Sequence, residues 1–165
     1  MAKEQSFDVV SQVDMQEVDN AVQQAAKELV QRYDLKDTHS TIDLDKHGAT
    51  VTVTAPSDFV FKQVKDVLDT KLVRRQIDLK ALSWGKIETA AGGTVRCAAT
   101  IVNGIDIEIA RKINKDVRDE KYKVKVQIEG DKVRVFSASR DELQAVIAFL
   151  KAADYGIPLQ FTNYR

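Results

Sequence analysis

One order of patterns occurs twice along this chain, and that repetition constrains its fold more than any other feature. Each half begins with an alternating segment and continues with a helical pattern, two alternating segments, a second helical pattern and a final alternating segment. Alternation of apolar and polar residues predicts strands, whereas apolar residues that recur every three or four positions predict helices. The sequence therefore predicts two βαββαβ units in a row, which we prefer to one larger α+β domain with an eight-stranded sheet.

The first half contains two amphipathic helical patterns. Asp14 followed by Glu17 resembles the capping box that begins a helix, and Ser57 begins a second one. The buried face of the first helix is predicted to comprise Val18, Ala21, Val22, Ala25, Leu29 and Val30. That of the second helix comprises Val60, Val64, Val67, Leu68 and Leu72. Strands are predicted at residues 7–13, 41–45, 50–54 and 84–89.

The second half repeats this order. A helix from about residue 105 carries Ile109, Ile113 and Val117 on its inner face. Ser139 and Glu142 form a capping box for another helix, which carries Leu143, Val146, Ile147 and Leu150. Strands are predicted at residues 94–102, 123–128, 133–135 and 159–161. Each half is therefore predicted to fold as a ferredoxin-like sandwich, a four-stranded antiparallel sheet with two helices on one face.

The short connection between the halves predicts an exchange of strands. Residues 90–93 (AAGG) form a turn, so the strands on either side of it should pair as a hairpin. The strand 94–102 would then occupy the first-strand position of the first sandwich, and residues 7–13 would fill the same position in the second. We therefore expect a permuted first domain of residues 13–102 and a second domain of residues 1–12 with 103–165.

Composition excludes several classes of protein. The 25 basic and 25 acidic side chains cancel, which argues against a protein that coats duplex DNA or an anionic membrane. No segment approaches the roughly 20 apolar residues of a membrane span, and the first residues lack the apolar region of a signal peptide. The single cysteine, Cys97, suits a reducing compartment. These features predict a cytoplasmic protein without a membrane partner.

Catalytic and metal-binding motifs are not found in the sequence. It contains no phosphate-binding glycine loop and none of the common hydrolase or zinc-protease signatures. His39 and His47 have no cysteine or third histidine near enough in sequence to complete a zinc site. Cys97 lies in a predicted strand on the side of its apolar neighbours, which favours a buried side chain over a nucleophile. We expect a protein that is not an enzyme and that needs no cofactor and no metal.

Basic residues near an aromatic residue predict a nucleotide site in the first half. Arg74, Arg75, Ile77 and Trp84 combine guanidinium donors for a phosphate with apolar and aromatic surface for a base. Arg32 and Lys36, after the first helix, are expected to contribute to the same site. The alternative interpretation is a solvated helix face with Trp84 in the core.

The open faces of the predicted sheets offer a second candidate surface. Their outward residues are mainly threonines in the first sheet, while the second carries Lys123, Lys125 and Arg134 with Phe136 as its only aromatic residue. RNA-recognition motifs of this topology stack bases on several sheet aromatics, so that mode of RNA binding is disfavoured. The face with Lys123, Lys125 and Arg134 remains the alternative nucleotide site.

The sequence also resembles the YajQ family of small bacterial cytosolic proteins over nearly its whole length. The segments that carry the resemblance are 6–11 (SFDVVS), 32–36 (RYDLK), 57–59 (SDF), 74–78 (RRQID), 104–105 (GI), 123–135 (KVKVQIEGDKVRV), 139–147 (SRDELQAVI) and 158–161 (PLQF). The resemblance implies two ferredoxin-like domains related by permutation. It also implies binding of nucleotides or RNA and, in some members, of cyclic di-GMP as a signal.

Three functions therefore stay open from the sequence. The first is a non-catalytic nucleotide-binding protein, a receptor or regulator that binds cyclic di-GMP, GTP or ATP. The second is an RNA- or tRNA-binding accessory protein, and the third is an adaptor that binds a protein partner such as a transcription factor.

Overall fold

The chain folds into nine strands and four α-helices within residues 3–165, which are the residues that the computed structural model describes. The strands are β1 (Gln5–Val10), β2 (Thr41–Asp45), β3 (Thr50–Ala55), β4 (Leu82–Trp84), β5 (Glu88–Thr89), β6 (Val95–Ile101), β7 (Lys125–Glu129), β8 (Lys132–Ser137) and β9 (Gln160–Thr162). The helices are α1 (Met15–Gln31), α2 (Asp58–Arg74), α3 (Ile107–Asp119) and α4 (Arg140–Ala152).

Each helix begins directly after a residue whose side-chain oxygen accepts backbone amide protons of the first turn. These N-cap residues are Asp14, Ser57, Asp106 and Ser139. Such a bond satisfies an amide that would otherwise lack a partner within the helix. The cap explains why α3 begins at Ile107 rather than at about residue 105, because the carboxylate of Asp106 accepts from the amide of Ile109 at 2.9 Å.

Two antiparallel sheets organise the described residues, and this confirms the predicted α+β class. One sheet has the strand order β2-β3-β6-β4, with β5 also paired to β6, and the other has the order β7-β8-β1-β9. Phe7 of β1 pairs with Val135 of β8, so β1 lies in a sheet whose other strands all come from the second half of the chain. Cys97 of β6 pairs with Val53 of β3.

The strand predicted at residues 84–89 is interrupted in the structure. Trp84 of β4 pairs with Ala99, whereas Glu88 of β5 pairs with Arg96, so the register shifts by one residue between the two strands. The intervening Gly85 donates its amide to the carbonyl of Ala98 at 2.9 Å. The extra residue on this strand forms a β-bulge. The residues on either side of a bulge keep their own alternation of apolar and polar side chains, so the sequence of this segment does not predict the bulge.

The chain divides into two compact units, one of Val13–Val102 and the other of the residues up to Gln12 together with Asn103–Arg165. The first unit buries the apolar faces of α1 and α2 on its sheet, and Val18, Val51, Val64 and Leu68 have no exposed surface. The second unit buries the corresponding faces of α3 and α4, with Phe7, Val9, Ile113, Val133, Val135 and Val146 fully buried. None of the helices in residues 3–165 is long and apolar enough to cross a membrane.

Candidate functional site

The predicted site residue Arg75 is engaged within its own unit. It caps the C-terminal end of α2, and its Nη1 atom lies 3.0 Å from Oε2 of Glu17 in α1. Its Nε atom also donates to Oε1 of Gln24 at 3.4 Å. A phosphate that approached Arg75 would have to compete with the carboxylate of Glu17.

Of the other members of the predicted cluster, Arg74 ends α2, Ile77 follows this helix and Trp84 lies in β4. Arg74 is exposed, whereas Ile77 is buried in the core at 8% exposure. The indole of Trp84 contacts the ring of Phe61 edge-on, with 5.8 Å between centroids, and the ammonium of Lys65 lies 5.5 Å from the centroid of the indole. Lys65 precedes Arg74 by nine residues, which is about 14 Å along a helix axis. The structure therefore does not bring Trp84 and Arg74 together around one ligand-sized space.

Arg32 and Lys36 are both held by their near neighbours after α1. The Nε atom of Arg32 donates to the carboxylate of Asp34 at 2.8 Å, and its Nη1 lies 3.6 Å from Glu28. The ammonium of Lys36 lies 5.4 Å from the ring centroid of Tyr33, whose side chain is 88% exposed. Arg32 contacts Glu28 near the end of α1, whereas Arg75 contacts Glu17 in its first turn, so the two arginines lie at opposite ends of this helix.

In the second unit, Arg134 is held by the carboxylate of Asp8. Nε of Arg134 donates to Oδ1 of Asp8 at 2.8 Å, and Nη1 lies 3.3 Å from Glu129. Asp8 also accepts from Nδ2 of Asn163 at 2.8 Å, and the ammonium of Lys132 lies 3.5 Å away. Asp8 is only 3% exposed, and these contacts make it the centre of an internal network of polar groups.

The pKa of Asp8 reports the strength of this network. Burial by itself would raise the pKa of the carboxyl, but the hydrogen bonds from Arg134 and Asn163 and the charges of Arg134 and Lys132 outweigh burial and lower the pKa from 3.8 to about 2. Lys123 and Lys125, the remaining predicted residues of this face, are exposed. Of the predicted alternative site, only these two lysines present their charge to solvent.

A cavity of about 410 Å³ lies elsewhere in the second unit, between the start of β1, the first turns of α4 and the segment that follows β9. Its lining residues are Gln5, Ser6, Arg140, Leu143, Gln144, Tyr164 and Arg165. Two of these residues are arginines and none is acidic, although the chain as a whole has a net charge of zero. The volume falls within the range of small-molecule sites, which runs from about 300 to 1,000 Å³.

Local structure explains how this cavity is formed. Ser139 caps α4, which places Arg140 at its first position, and Leu143 and Gln144 follow on the same face one turn later. Ser6 and Arg165 exchange both backbone hydrogen bonds, at 3.1 and 3.0 Å, so that Arg165 is held beside β1. No carboxylate within residues 3–165 forms an ion pair with Arg140. Its guanidinium is therefore available to an anionic ligand.

Sequence reasoning did not identify these cavity residues. They come from residues 5–6, 140–144 and 164–165, which are far apart along the chain, and no local pattern marks them as a binding site. The sequence did place Arg140 in the first turn of a helix, because it directly follows the predicted N-cap Ser139. The sequence did not indicate which other residues would lie near Arg140.

The lining of the cavity contains no histidine, cysteine, aspartate or glutamate. Cys97 lies in the other unit, 2% exposed, where burial and then the charge of Glu88 raise the pKa of its thiol. Among the described residues, no three histidine, cysteine or carboxylate side chains converge as metal ligands.

Comparison with known proteins shows similarity over the whole chain. A family model described as "Nucleotide-binding protein YajQ-like" matches residues 5–165. A protein named nucleotide-binding protein from Alkaliphilus oremlandii (strain OhILAs) is 49% identical over 165 residues, which is 100% of each chain. Proteins also named as nucleotide-binding from Bacillus cereus (strain AH187) and Bacillus anthracis (strain A0248) are each 50% identical over 165 residues, again 100% of each chain.

Proposed function

This chain belongs to the YajQ-like family of nucleotide-binding proteins, and we propose that it is a non-catalytic receptor that binds a nucleotide in the cavity lined by Arg140 and Arg165. Cyclic di-GMP is the first ligand to test, with GTP and ATP as the alternatives. The proposed place of action is the cytoplasm.

The observation that carries the proposal is the charge of the cavity. Arg140 and Arg165 are among the residues that line it, and none of the lining residues is acidic. A guanidinium matches the geometry of two phosphate oxygens and donates to both at once, which a lysine cannot do. Two arginines in a space of this size therefore favour a ligand that carries phosphate.

The uncharged lining residues suit the rest of a nucleotide. The ring of Tyr164 is 60% exposed and offers a flat aromatic surface on which a base can stack. Gln5 and Gln144 each provide a carbonyl oxygen and an amide that can pair with the edge of a base.

The test is calorimetry of the full chain with cyclic di-GMP, GTP, ATP and, as a ligand without phosphate, guanosine. Arg140→Ala and Arg165→Ala should each weaken the binding of the phosphorylated ligand about 10-fold or more, as loss of a charge-assisted hydrogen bond does. Arg96→Ala removes an exposed arginine of the other unit that belongs to none of the predicted sites and is the matched control. The absence of heat with every nucleotide at high micromolar concentration would overturn the proposal. Normal binding by both cavity variants would move the site to the predicted clusters.

A second candidate function is RNA binding, supported by the exposed cations of the second unit. Those on and after α3 and along β7 are Arg111, Lys112, Lys115, Arg118, Lys121, Lys123 and Lys125. Binding to a phosphate backbone releases counterions, so its affinity falls steeply as salt rises. Several phosphate contacts lower the affinity by orders of magnitude between about 50 and 200 mM salt. Loss of a tRNA gel shift over this range of salt would support the function. A shift insensitive to salt would contradict it.

We further propose that the two units are separate ferredoxin-like domains, residues 13–102 and residues 1–12 with 103–165, related by circular permutation. The strand orders support this proposal, because β1 lies between β8 and β9 just as β6 lies between β3 and β4. Deletion of residues 1–12 should remove amide protection from β8 and β9 in hydrogen exchange, since both pair with β1. Protection of β3 should persist. Equal loss in both sheets would contradict the separation.

A further inference from the structure

The longer edge strand of each sheet has no partner on its outer side within residues 3–165. These edge strands are β2 in the first unit and β7 in the second. Each has five residues, and the outer backbone amides and carbonyls of such a strand can form hydrogen bonds with another strand. Because β2 and β7 lie in different sheets, the chain carries two separate edges of this kind.

The exposed side chains of these two edges carry opposite charges. Asp43 and Asp45 of β2 are exposed, and so are Lys125 at the start of β7 and Lys123 two residues before it. Asp43, Lys123 and Lys125 form no ion pair with another side chain of the described residues. Charges on an edge strand keep copies of the same strand apart. Here they oppose pairing of β2 with β2 and of β7 with β7, but they favour pairing of β2 with β7.

Antiparallel pairing of the two edges would match both faces of the joined sheet. Ile42 faces the helices of its unit, where it is 6% exposed, so alternation places Asp43 on the open face. Val126 lies opposite the fully buried Val135 and also faces helices, which leaves Lys125 on the open face. When Asp43 lies opposite Lys125, Ile42 lies opposite Val126. Opposite charges then meet on one face and apolar side chains on the other.

Both edges also leave apolar surface uncovered. Oδ2 of Asp19 in α1 lies 2.9 Å from Nζ of Lys46, the residue after β2, so this side of α1 flanks β2. Val30 follows Asp19 by about three helical turns and therefore lies on the same side of α1, where it is 69% exposed. In β7, Val126 and Ile128 are only partly buried. A strand added at either edge would remove part of this apolar surface from water.

We propose that β2 and β7 form an interface between copies of this chain, in which β2 of one copy pairs antiparallel with β7 of another and Asp43 lies opposite Lys125. The partner is a second copy because the chain itself supplies the complementary edge, of equal length and opposite charge. Two chains that use both pairs of edges form a closed dimer, and chains that use one pair each form a longer assembly. No residue of β2 or β7 lines the cavity, so the proposal goes beyond nucleotide binding and does not depend on it.

Sedimentation velocity of the full chain measures the association. At low salt, where exposed charges are least screened, the parent chain should become larger than a monomer between micromolar and about 1 mM protein. Asp43→Lys places a lysine opposite Lys125, and Lys125→Asp places an aspartate opposite Asp43. Each should raise the dissociation constant about 10-fold or more. Asp66→Lys makes the same change of charge on the exposed side of α2 and is the matched control.

Exchange of the two charges tests the register of the pair. The combined variant Asp43→Lys/Lys125→Asp should regain a dissociation constant within about 3-fold of that of the parent chain. A mixture of the two single variants should also associate more tightly than either variant alone, because each supplies the edge that complements the other. Melting temperatures of all variants show whether they are folded.

Hydrogen exchange of the parent chain gives a readout that needs no substitution. Amides of β2 and β7 should exchange more slowly in concentrated than in dilute protein, whereas those of β4, the opposite edge of the first sheet, should not change.

Three results would overturn the proposal. The first is a parent chain that stays monomeric up to about 1 mM. The second is association that Asp43→Lys weakens no more than Asp66→Lys does, or that the combined variant does not restore. The third is exchange in β2 and β7 that is independent of protein concentration. None of these results bears on the proposed nucleotide site, which is tested separately by calorimetry of Arg140→Ala.

Discussion

Arg75 at the end of α2 and Glu17 in the first turn of α1 form an ion pair, with 3.0 Å between Nη1 and Oε2. One turn earlier in α2, the ammonium of Lys71 lies 3.0 Å from Glu28, further along α1. Glu17 precedes Glu28 in α1, whereas the partner of Glu17 in α2 follows the partner of Glu28, so the two helices run antiparallel. Arg75 thus links the helices of its unit, a role that would not depend on any ligand.

Arg75→Ala should lower the free energy of unfolding by about 0.5–1 kcal/mol, the usual size of a partly exposed ion pair. Arg74→Ala should change it by less than about 0.5 kcal/mol, because Arg74 is an exposed neighbour at the end of the same helix. Urea unfolding of both variants measures the difference. If Arg75→Ala weakens nucleotide binding while stability is unchanged, the cluster near Arg74 becomes the better site.

Asp8 should make stability depend on pH in acid. Its pKa is about 2 in the folded protein, against 3.8 as its ordinary value, so between these values the unfolded chain binds more protons. The contribution of Asp8, roughly 2 kcal/mol from a shift of this size, is complete above about pH 4 and is lost as the pH falls through 2. Denaturant unfolding between pH 2 and 6 should show a shallower pH dependence for Asp8→Asn than for the parent chain. Identical slopes would contradict the network around Asp8.

Gly104→Ala should destabilise the second unit more than Gly92→Ala destabilises the first. Both glycines have positive φ, +100° and +73°, so each substitution incurs the cost of about 1 kcal/mol of placing alanine there. A Cβ on Gly104 would lie 2.9 Å from Oδ2 of Asp131, whereas nothing lies within 4 Å of a Cβ on Gly92. The expected loss is about 2–3 kcal/mol for Gly104→Ala, measured by chemical denaturation. Equal losses would show that Asp131 moves aside without cost.

The thiol of Cys97 should react slowly with maleimide in the folded protein and quickly after unfolding. It is 2% exposed, donates toward the carbonyl oxygen of Gly85 at 3.3 Å, and has a raised pKa because it is buried. The thiolate is the reactive form, so burial and the raised pKa act in the same direction. Mass spectrometry of labelled protein with and without denaturant measures the ratio. Rapid labelling of the folded chain would show that β6 opens locally.

Local chemistry made much of the fold predictable. The oxygens of Asp14, Ser57 and Ser139 fix helix starts through bonds to amides two or three residues away, so a short stretch of sequence contains all the necessary information. Alternation in residues 50–55 likewise depends only on the two faces of one strand. The break between β4 and β5 was not predictable, because a bulge is defined by the register of its partner strand.

The sequence alone therefore determined where helices and strands form and which of their faces are apolar, since these properties are set by residues within a few positions of one another. Tertiary structure alone decided which arginines are engaged and which face a cavity. Arg75 and Arg140 are both arginines at the end of a predicted helix. In the structure Arg75 forms an ion pair with Glu17 of the neighbouring helix, whereas Arg140 lines a cavity with Tyr164 and Arg165. Ion pairs and cavities are made by residues that only folding brings within a few ångströms, and Coulomb energy and hydrogen bonding act only at that distance.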